Sequence, residues 1–483
     1  MSESDVTTTE TTDTTAAADT TATAETTSPS TRLVLRWRIA PTDEPARSII
    51  ELAAPPDAVR AVLLAEAPTL DALDRAADDA DDDAGEHVRA LVATLLSAGC
   101  LTVGVGDADS PAAILEPMTP QFTVEFDATL PETIQLSRFA YLHALDGDVV
   151  LESPLSLARL RLADPALAAM IAALVPGAST AAVIDQAADR PTVTAVLRLL
   201  AGAGFAGAAT DAGCALDTGD VLRQWDFADL VFHSRSRLGR HDYPMGGTFR
   251  FAEELPPPPV HAPRPWVTTI PLPRPAGRPP RDSGLIDVME RRRSVREQSA
   301  VPITIQELGE FLFHAARVRG YLPGPYGLTL SNRPYPTGGA SYELEIYLTV
   351  DRCMGLAPGF YYYDAAAHGL APISPPNAHT QQMLFGAYTS CGGTCYPQVL
   401  ISIASRFQRI AWKYTGIAYA TTLKNVGVLY STFYLVGTAM GLAPCALGLG
   451  DSEQFTALSG TDRWAESLVG EFMLGGRAIG VQQ

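Results

Sequence analysis

The chain has 483 residues, of which 47% are hydrophobic, so most of it can bury cores, in about two to four domains. Its formal net charge is -19 at pH 7, which excludes nucleic acid and anionic membrane surfaces as main partners, because both attract basic surfaces. The start, MSESDVTTTETTDTT, has no basic segment followed by an apolar one, so we predict no secretory signal.

The first elements in chain order are a polar tail and a duplicated pattern. Residues 1–31 are a Thr/Ala/Asp/Glu tract with little aliphatic bulk, which predicts disorder. Residues 32–120 and 121–215 each end in an apolar helix, a glycine and a short apolar strand, around LLSAGC and LLAGAGF. This order is typical of tandem winged-helix-like units. Because the surface includes the acidic run DRAADDADDDAGEH, DNA binding is disfavoured, and peptide binding or a structural, dimerising role stays open.

The next segment, residues 216–282, is predicted to connect this region to a catalytic domain. It begins with aromatic and arginine residues, including FHSRSRLGRHDYP, and continues into the Pro-rich EELPPPPVHAPRPWVTTIPLPRPAGRPP. Prolines favour extended polyproline backbone, so we predict a semi-rigid spacer.

Residues 283–483 alternate helical and strand patterns, which predicts an α+β sheet domain. Thr304 and Glu307 have the capping-box spacing at the start of TIQELGEFLFHAARVRG. YELEIYLTV and PQVLISIASR predict strands, and GFYYYDAAAHGL predicts a hairpin. The stretch between Lys424 and Asp451 carries no charge, but glycine, proline and polar residues interrupt it, so we predict a buried helix and a buried strand rather than a membrane span.

The six cysteines are scattered, which fits reduced thiols in a cytoplasmic protein. Cys391 and Cys395, in CGGTC, form the only close pair. A zinc site would need a second pair or nearby histidines, so we predict a plain loop and no metal.

Four stretches of the last domain have residue types suited to a cofactor. RRRSVR, Arg291–Arg296, places guanidinium groups and a hydroxyl at a helix end, where arginine forks match phosphate oxygens, although a solvated charged face has the same pattern. PTGG before a strand lets backbone approach a flat ring, although a turn explains it equally. MGLAPCALGLG and LGGR supply a late Gly-rich segment and a late arginine.

In this order the four stretches resemble the flavin-dependent nitroreductase superfamily. They are more closely similar to the azoline dehydrogenases of thiazole/oxazole-modified peptide pathways, over about residues 220–483. The resemblance implies a nitroreductase-like domain with an antiparallel-rich sheet and flanking helices, which binds FMN non-covalently at a homodimer interface. It implies an enzyme that oxidises thiazolines or oxazolines of a ribosomally made precursor peptide, within a complex that includes a cyclodehydratase.

The resemblance also implies which residues hold FMN. By matching motifs they are Arg292, Arg293, Ser294 and Arg296 at the phosphate and ribityl end, Pro336, Thr337, Gly338 and Gly339 against the isoalloxazine, Gly448 and Leu449 beside the ring, and Arg477 at the phosphate. The family usually has serine where this chain has Thr337, which weakens any role that depends on that hydroxyl.

The pair Lys413–Tyr414 matches a Lys-Tyr pair that the azoline dehydrogenases need for activity. Only two of the 35 basic residues of the chain are lysines, the other being Lys424. Azoline oxidation removes a proton from one ring carbon and a hydride from its neighbour. Arginine keeps its proton, whereas a desolvated lysine can lose it, so Lys413 is predicted to be the base, with a pKa lowered from about 10.4 towards 7–8. Tyr414 could donate to the ring nitrogen, orient the substrate or act as the base. On a regular helix the two would point about 100° apart.

Two other functions stay open from the sequence. One is a nitroreductase-like flavoprotein that reduces small molecules with NAD(P)H, which the Lys-Tyr pair and the large N-terminal region oppose. The other is a non-catalytic peptide-binding scaffold, which the intact arginine and glycine motifs oppose. In the leading interpretation the N-terminal units bind leader peptide or a partner protein.

Overall fold

The computed structural model describes residues 33–65, 68–80, 84–275 and 284–478. The chain divides into two compact units, residues 1–231 and 232–483, and each is described by itself. The predicted disordered tail, residues 1–31, lies outside the described residues.

The first unit contains two antiparallel sheets with helices. Its strands are β1 (Leu33–Trp37), β2 (Leu101–Gly106), β3 (Pro111–Pro117), β4 (Thr133–Leu136), β5 (Tyr141–Leu145), β6 (Asp148–Glu152), β7 (Ala158–Leu162), β8 (Ala178–Ser179), β9 (Ala206–Thr210) and β10 (Gly213–Cys214). Its helices are α1 (Ala46–Ala53), α2 (Asp57–Leu63), α3 (Leu70–Asp78), α4 (Ala84–Ser97), α5 (Pro165–Ala173), α6 (Thr180–Asp185) and α7 (Arg190–Gly202). The sheet orders are β1-β2-β3-β7-β6-β5 and β10-β9-β4-β8.

The helix–glycine–strand order occurs twice in this unit. Helix α4 leads through Gly99 (φ +72°) into β2, and α7 leads through Gly204 (φ +79°) into β9. Glycine takes this left-handed conformation readily, and it ends both helices. The sheet that contains β1–β3 also takes in β5–β7, so elements of residues 141–162 join the sheet of the first predicted unit. The assignment of both units as winged helices stays a prediction.

The second unit is built on one seven-stranded antiparallel sheet in the order β11-β16-β15-β14-β17-β19-β18. Helix α8 (Phe227–Arg235) spans the division between the units. The strands that follow are β11 (Ile270–Pro271), β12 (Gly320–Pro323), β13 (Thr329–Asn332), β14 (Leu344–Val350), β15 (Gly359–Asp364), β16 (Gly369–Ser374), β17 (Val399–Arg406), β18 (Leu442–Leu447) and β19 (Glu466–Gly476). The helices are α9 (Leu285–Arg291), α10 (Ile305–Ala316), α11 (Ala378–Ser390), α12 (Phe407–Ala411), α13 (Ala418–Ala439) and α14 (Ser452–Ser459).

Helices cover both faces of this sheet. Every residue of β14 and β17 is buried, because successive side chains of a strand point to opposite faces and each face has a core. Residues of α10 and α13 pack in one core and residues of α11 and α14 in the other. The predicted α+β fold with flanking helices is therefore confirmed, as are the β15–β16 hairpin and the capping box of α10.

The charge-free stretch forms most of α13, from residue 425 to its end, and then β18, as predicted. Gly441, with φ +72°, separates the two, and β18 pairs with β19 inside the sheet. Among the described residues, no helix combines the length and the apolar character needed to cross a membrane.

Residues 255–260 of the Pro-rich segment pack on the rest of the catalytic unit, so this part of the segment is not a spacer. Arg409 donates to Pro258 O at 2.9 Å, and Arg406 donates to Pro259 O at 3.0 Å. Proline has no N–H but keeps its carbonyl, so a proline run can accept bonds from buried guanidinium groups. β11 adds to the sheet, so the structured catalytic unit begins upstream of residue 283.

Candidate active site

The Lys-Tyr pair lies just after α12, where the backbone leaves the helix. Tyr414 N donates to Ile410 O at 2.9 Å, and Lys413 Nζ donates to Gly339 O at 2.9 Å. A Cβ added at Gly339 would collide with both Lys413 Nζ and the Tyr414 hydroxyl. The two side chains therefore converge on one glycine and do not diverge as they would on a regular helix.

The loop that carries Pro336–Gly339 is fixed by polar contacts to its own turn and to α13. Thr337 Oγ1 accepts a hydrogen bond from Tyr342 N at 3.1 Å, which gives this hydroxyl a structural use. Gly338 N donates to Asn425 Oδ1 on α13 at 3.0 Å. Gly339 has φ +57°, a conformation that glycine accepts without strain. The loop thus holds the Gly339 carbonyl in place for Lys413.

A buried carboxylate stands behind this loop, and the sequence motifs did not identify it. Glu343 is 0% exposed, and its Oε1 accepts a hydrogen bond from Asn425 Nδ2 at 2.7 Å. Its Oε2 has no hydrogen-bond partner within the described part of the chain. Burial raises the pKa of Glu343. The available signal was the two glutamates, Glu343 and Glu345, at the start of the strand-like run YELEIYLTV.

The surroundings shift the two candidate catalytic groups in opposite directions. Burial, reinforced by the positive charge of Arg409, lowers the pKa of Lys413. Burial, reinforced by Glu343, raises the pKa of Tyr414. Desolvation disfavours the charged form of each group. The site therefore favours a lysine that can accept a proton beside a tyrosine that keeps its own.

Residues Gly246–Phe249, which we call the strap, pair with the backbone of the Lys-Tyr segment. Gly246 N donates to Thr415 O at 3.1 Å, and Thr415 N donates back to Gly246 O at 3.0 Å. Phe249 N donates to Lys413 O at 3.2 Å. The centroid of the Phe249 ring lies 5.8 Å from Lys413 Nζ. The strap thus forms one wall of the site, although it lies far upstream in the sequence.

The arginine cluster lies after α9, against β18. Ser294 Oγ is 2.7 Å from the hydroxyl of Tyr434 on α13, and Val295 N donates to Pro444 O at 2.9 Å. Arg292, Arg293 and Arg296 are exposed. Within residues 33–65, 68–80, 84–275 and 284–478, none of these three guanidinium groups forms an ion pair.

The late arginine, Arg477, follows β19 and pairs with the backbone just after this cluster, whereas the Gly-Leu segment follows the neighbouring strand, β18. Ser299 N donates to Gly476 O at 2.7 Å, and Gln298 pairs with Arg477 across a β-bridge. Gly448 and Leu449 come directly after β18 and are exposed. Leu449 lines a cavity of about 190 Å³ together with Glu471 on β19.

Helix α13 contacts both groups of predicted residues. Asn425 holds the Pro336–Gly339 loop, and Tyr434 contacts Ser294. Nine residues separate these positions, about 14 Å along an α-helix. The loop beside the Lys-Tyr pair and the arginine cluster thus contact the same helix at two positions. In the described residues no group of three or more His, Cys, Asp or Glu side chains is arranged to hold a metal ion.

Two family models match the chain. A model described as the nitroreductase family matches residues 289–476, and one described as cyanobactin oxidase ThcOx matches residues 134–242. A protein of Methanocaldococcus jannaschii that is named as a nitroreductase is 31% identical over 166 residues, which cover 34% of this chain and 78% of the relative.

Solved structures show weaker similarity. One from Anabaena variabilis, named as a nitroreductase, is 20% identical with a TM-score of 0.32, covering 38% of this chain and 41% of that chain. The match therefore spans less than half the length of that protein. The microcin synthetase McbBCD complex of E. coli, with truncated pro-MccB17 bound, is 19% identical with a TM-score of 0.32, covering 51% of this chain and 90% of that chain.

Proposed function

The chain belongs to the nitroreductase family, and we propose that it oxidises thiazolines or oxazolines of a ribosomally made peptide to thiazoles or oxazoles with bound FMN. The nitroreductase and cyanobactin oxidase matches confirm the resemblance found from the motifs. They also confirm the prediction that the chain is a flavin-dependent oxidoreductase. The observation that carries the proposal is the convergence of Lys413 and Tyr414 on Gly339.

The residues present fit FMN at its anionic end. Arg292, Arg293 and Arg296 are exposed, and their guanidinium forks suit a phosphate. Arg477, just after β19, lies across a β-bridge from Gln298, two residues after the cluster, so it would add a fourth guanidinium from a distant part of the sequence. The lack of a side chain at Gly338 makes room for Thr421, and the lack of one at Gly339 makes room for Lys413 and Tyr414, so the pair lies directly against the loop proposed to face the flavin ring. When bound, FMN supplies the acceptor for the hydride.

The chain's own residues would manage the proton. Lys413, half-buried with a lowered pKa, takes the proton from the ring carbon next to the one that loses hydride. The Lys413 Nζ–Gly339 O bond of 2.9 Å fixes the amine. Tyr414, with a raised pKa, keeps its proton and donates a hydrogen bond to the ring nitrogen. The substrate loses two hydrogens, one as hydride and one as a proton.

The peptide and partners follow from the same function. An azoline arises by cyclodehydration of a peptide, so the substrate is an azoline-containing precursor peptide from a cyclodehydratase, with which the chain assembles. The N-terminal units bind its leader or the partner protein. A homodimer places FMN at its interface, and the enzyme acts in the cytoplasm.

The direct test is turnover of an azoline peptide in air by the flavin-loaded protein, followed by mass spectrometry. We expect each ring to lose two hydrogens with wild type, and Lys413→Ala to leave the mass unchanged while still binding flavin. An unchanged mass with flavin-loaded wild type would contradict the proposed function.

A further inference from the structure

The strap brings an aromatic side chain to the lysine that the proposed mechanism uses as base. The ring of Phe249 contacts Trp412 edge-on, with centroids 5.9 Å apart, and lies 5.8 Å from Lys413 Nζ. Two backbone hydrogen bonds between Gly246 and Thr415 and one from Phe249 N to Lys413 O hold it there. Its position relative to the amine is therefore set by the backbone and not by a flexible side chain.

A second aromatic ring extends this wall towards solvent. The centroid of the Tyr326 ring lies 5.0 Å from that of Phe249, at an interplanar angle of 45°. Tyr326 is 64% exposed and Phe249 is half-buried, so the pair presents ring surface at the open side of the site. Within the described residues, neither side chain makes a hydrogen bond or an ion pair. An exposed apolar surface next to a candidate base is suited to contact a substrate.

Both rings sit on backbone that bulky residues rarely adopt. Phe249 has φ +52° and Tyr326 has φ +53°. Left-handed backbone is unfavourable for side chains with a Cβ, and such residues gather at functional sites where the side chain is needed. Ala340 and Tyr342, in the loop that carries Gly339, also have positive φ. Four of these uncommon conformations thus belong to the segments around Lys413.

We propose that Phe249 and Tyr326 form the wall that receives the azoline ring and positions it beside Lys413. The inference rests on the proposed function. The ring is flat and uncharged, and it becomes aromatic in the product, so offset contacts with aromatic side chains suit both forms. Phe249 and Tyr326 are substrate-positioning residues, and the proton transfer stays with Lys413.

The test uses asparagine, because asparagine tolerates left-handed backbone and removes the ring. Flavin-loaded Phe249→Asn, Tyr326→Asn and the double variant are compared with wild type in steady-state oxidation of an azoline peptide. We expect KM to rise roughly 2- to 10-fold for each single variant and more for the double variant, with kcat nearly unchanged, because the lost contact is made in the ground state and the transition state alike. The thermal unfolding midpoint should not fall.

Two controls separate ring contact from other effects. Tyr326→Phe keeps the ring and should retain the wild-type KM. Phe385→Asn removes a similarly exposed aromatic residue, 54% exposed on α11, and should leave KM unchanged. If wild type is active and KM is unchanged in Phe249→Asn, Tyr326→Asn and the double variant, the inference is overturned and the proposed function stays intact. A lower unfolding midpoint without a rise in KM would have the same meaning. A flavin-loaded wild type that fails to oxidise the peptide would overturn both.

Discussion

At the scale of single residues, the proposed chemistry depends on how one lysine is held. The amine of Lys413 donates to the Gly339 carbonyl of the glycine loop at 2.9 Å. The pair itself could be predicted from the sequence, because it matches a family motif. Glu343, Phe249 and Tyr326 could not, because their relation to the pair arises from tertiary contacts. The strap and Thr415, for example, meet through two threonine hydroxyls 167 residues apart in the chain.

The pH dependence of turnover tests the role of Lys413. Burial lowers the pKa of this amine below its usual 10.5, and only the neutral amine can accept a proton. We therefore expect kcat/KM to rise with pH, with a midpoint below 10.5, as the ammonium loses its proton. Lys413→Arg keeps the charge but remains protonated, so we expect about a 100- to 10,000-fold loss. The matched change, Lys424→Arg on the exposed face of α13, should preserve rate and pH profile. Wild-type activity in Lys413→Arg would rule out the proposed base.

A single methyl group tests the convergence on Gly339. In Gly339→Ala, the new Cβ would collide with Lys413 Nζ and the Tyr414 hydroxyl, and φ +57° would be strained. Displacing catalytic groups by about 1 Å can cost about 100-fold, so we expect a loss of that order in kcat/KM. Gly427→Ala, on α13 with open space around it, is the control and should be neutral or slightly stabilising. Equal kinetics for the two variants would show that activity does not need the space that Gly339 leaves for Lys413 and Tyr414.

At the scale of elements, the sheet and its helices followed from the sequence, but the strap and the Pro-rich segment did not. Alternating and apolar runs predicted β14, β15, β16 and β17, and the capping box predicted the start of α10. Proline content predicted a spacer. That prediction was wrong for this segment, because composition does not reveal that buried arginines elsewhere will bond to proline carbonyls. Arg406 and Arg409 make these bonds from the segment that leads to Lys413. The Pro-rich segment, through the carbonyls of Pro258 and Pro259, therefore supports the site.

Strand β19 offers a test of a buried charge. Glu471 is 2% exposed, and burial, with Asp451 nearby, raises its pKa to about 8 from an ordinary 4.5. A carboxyl group whose pKa is raised in the folded state does not lower the free energy of unfolding below pH 4.5, where it is protonated in both states. As the pH rises towards 8, the free energy of unfolding falls, because the unfolded state ionises more readily. Glu471→Gln removes this cost, so we expect the free energy of unfolding at pH 7 to increase by about 1–3 kcal/mol, with no gain near pH 4.5.

Denaturant unfolding at the two pH values measures this effect. Glu290→Gln, at an exposed position on α9, is the control and should change little at either pH. A loss of stability at pH 7 in Glu471→Gln would mean that the ionised carboxylate has a stabilising partner.

At the scale of the whole molecule, two compact units correspond to two different tasks in the proposed function. The nitroreductase match lies in the second unit, whereas the cyanobactin oxidase match covers residues 134–242, most of them in the first. The duplicated helix–glycine–strand pattern was visible in the sequence. Which strands share a sheet was not, because β5–β7 join the sheet of β1–β3 through long-range pairing.

Deletion of residues 1–215 tests the proposed recognition role of the N-terminal region. We expect KM for a full-length azoline precursor to rise by at least about tenfold, because leader or partner contacts are lost. Oxidation of a short azoline peptide without a leader should be unchanged, which also verifies that the truncated protein is folded. Unchanged affinity for the full-length precursor would contradict this role.

The most direct test of the central claim is the absorbance of the oxidised flavin under anaerobic conditions. Flavin-loaded wild type and Lys413→Ala are each mixed with an azoline-containing peptide and, separately, with NADPH. We expect the peptide to bleach the flavin of wild type but not of Lys413→Ala. Bleaching of wild type by NADPH with none by the peptide would contradict it, and would identify a reductase of small molecules in which Lys413 has no part in the chemistry.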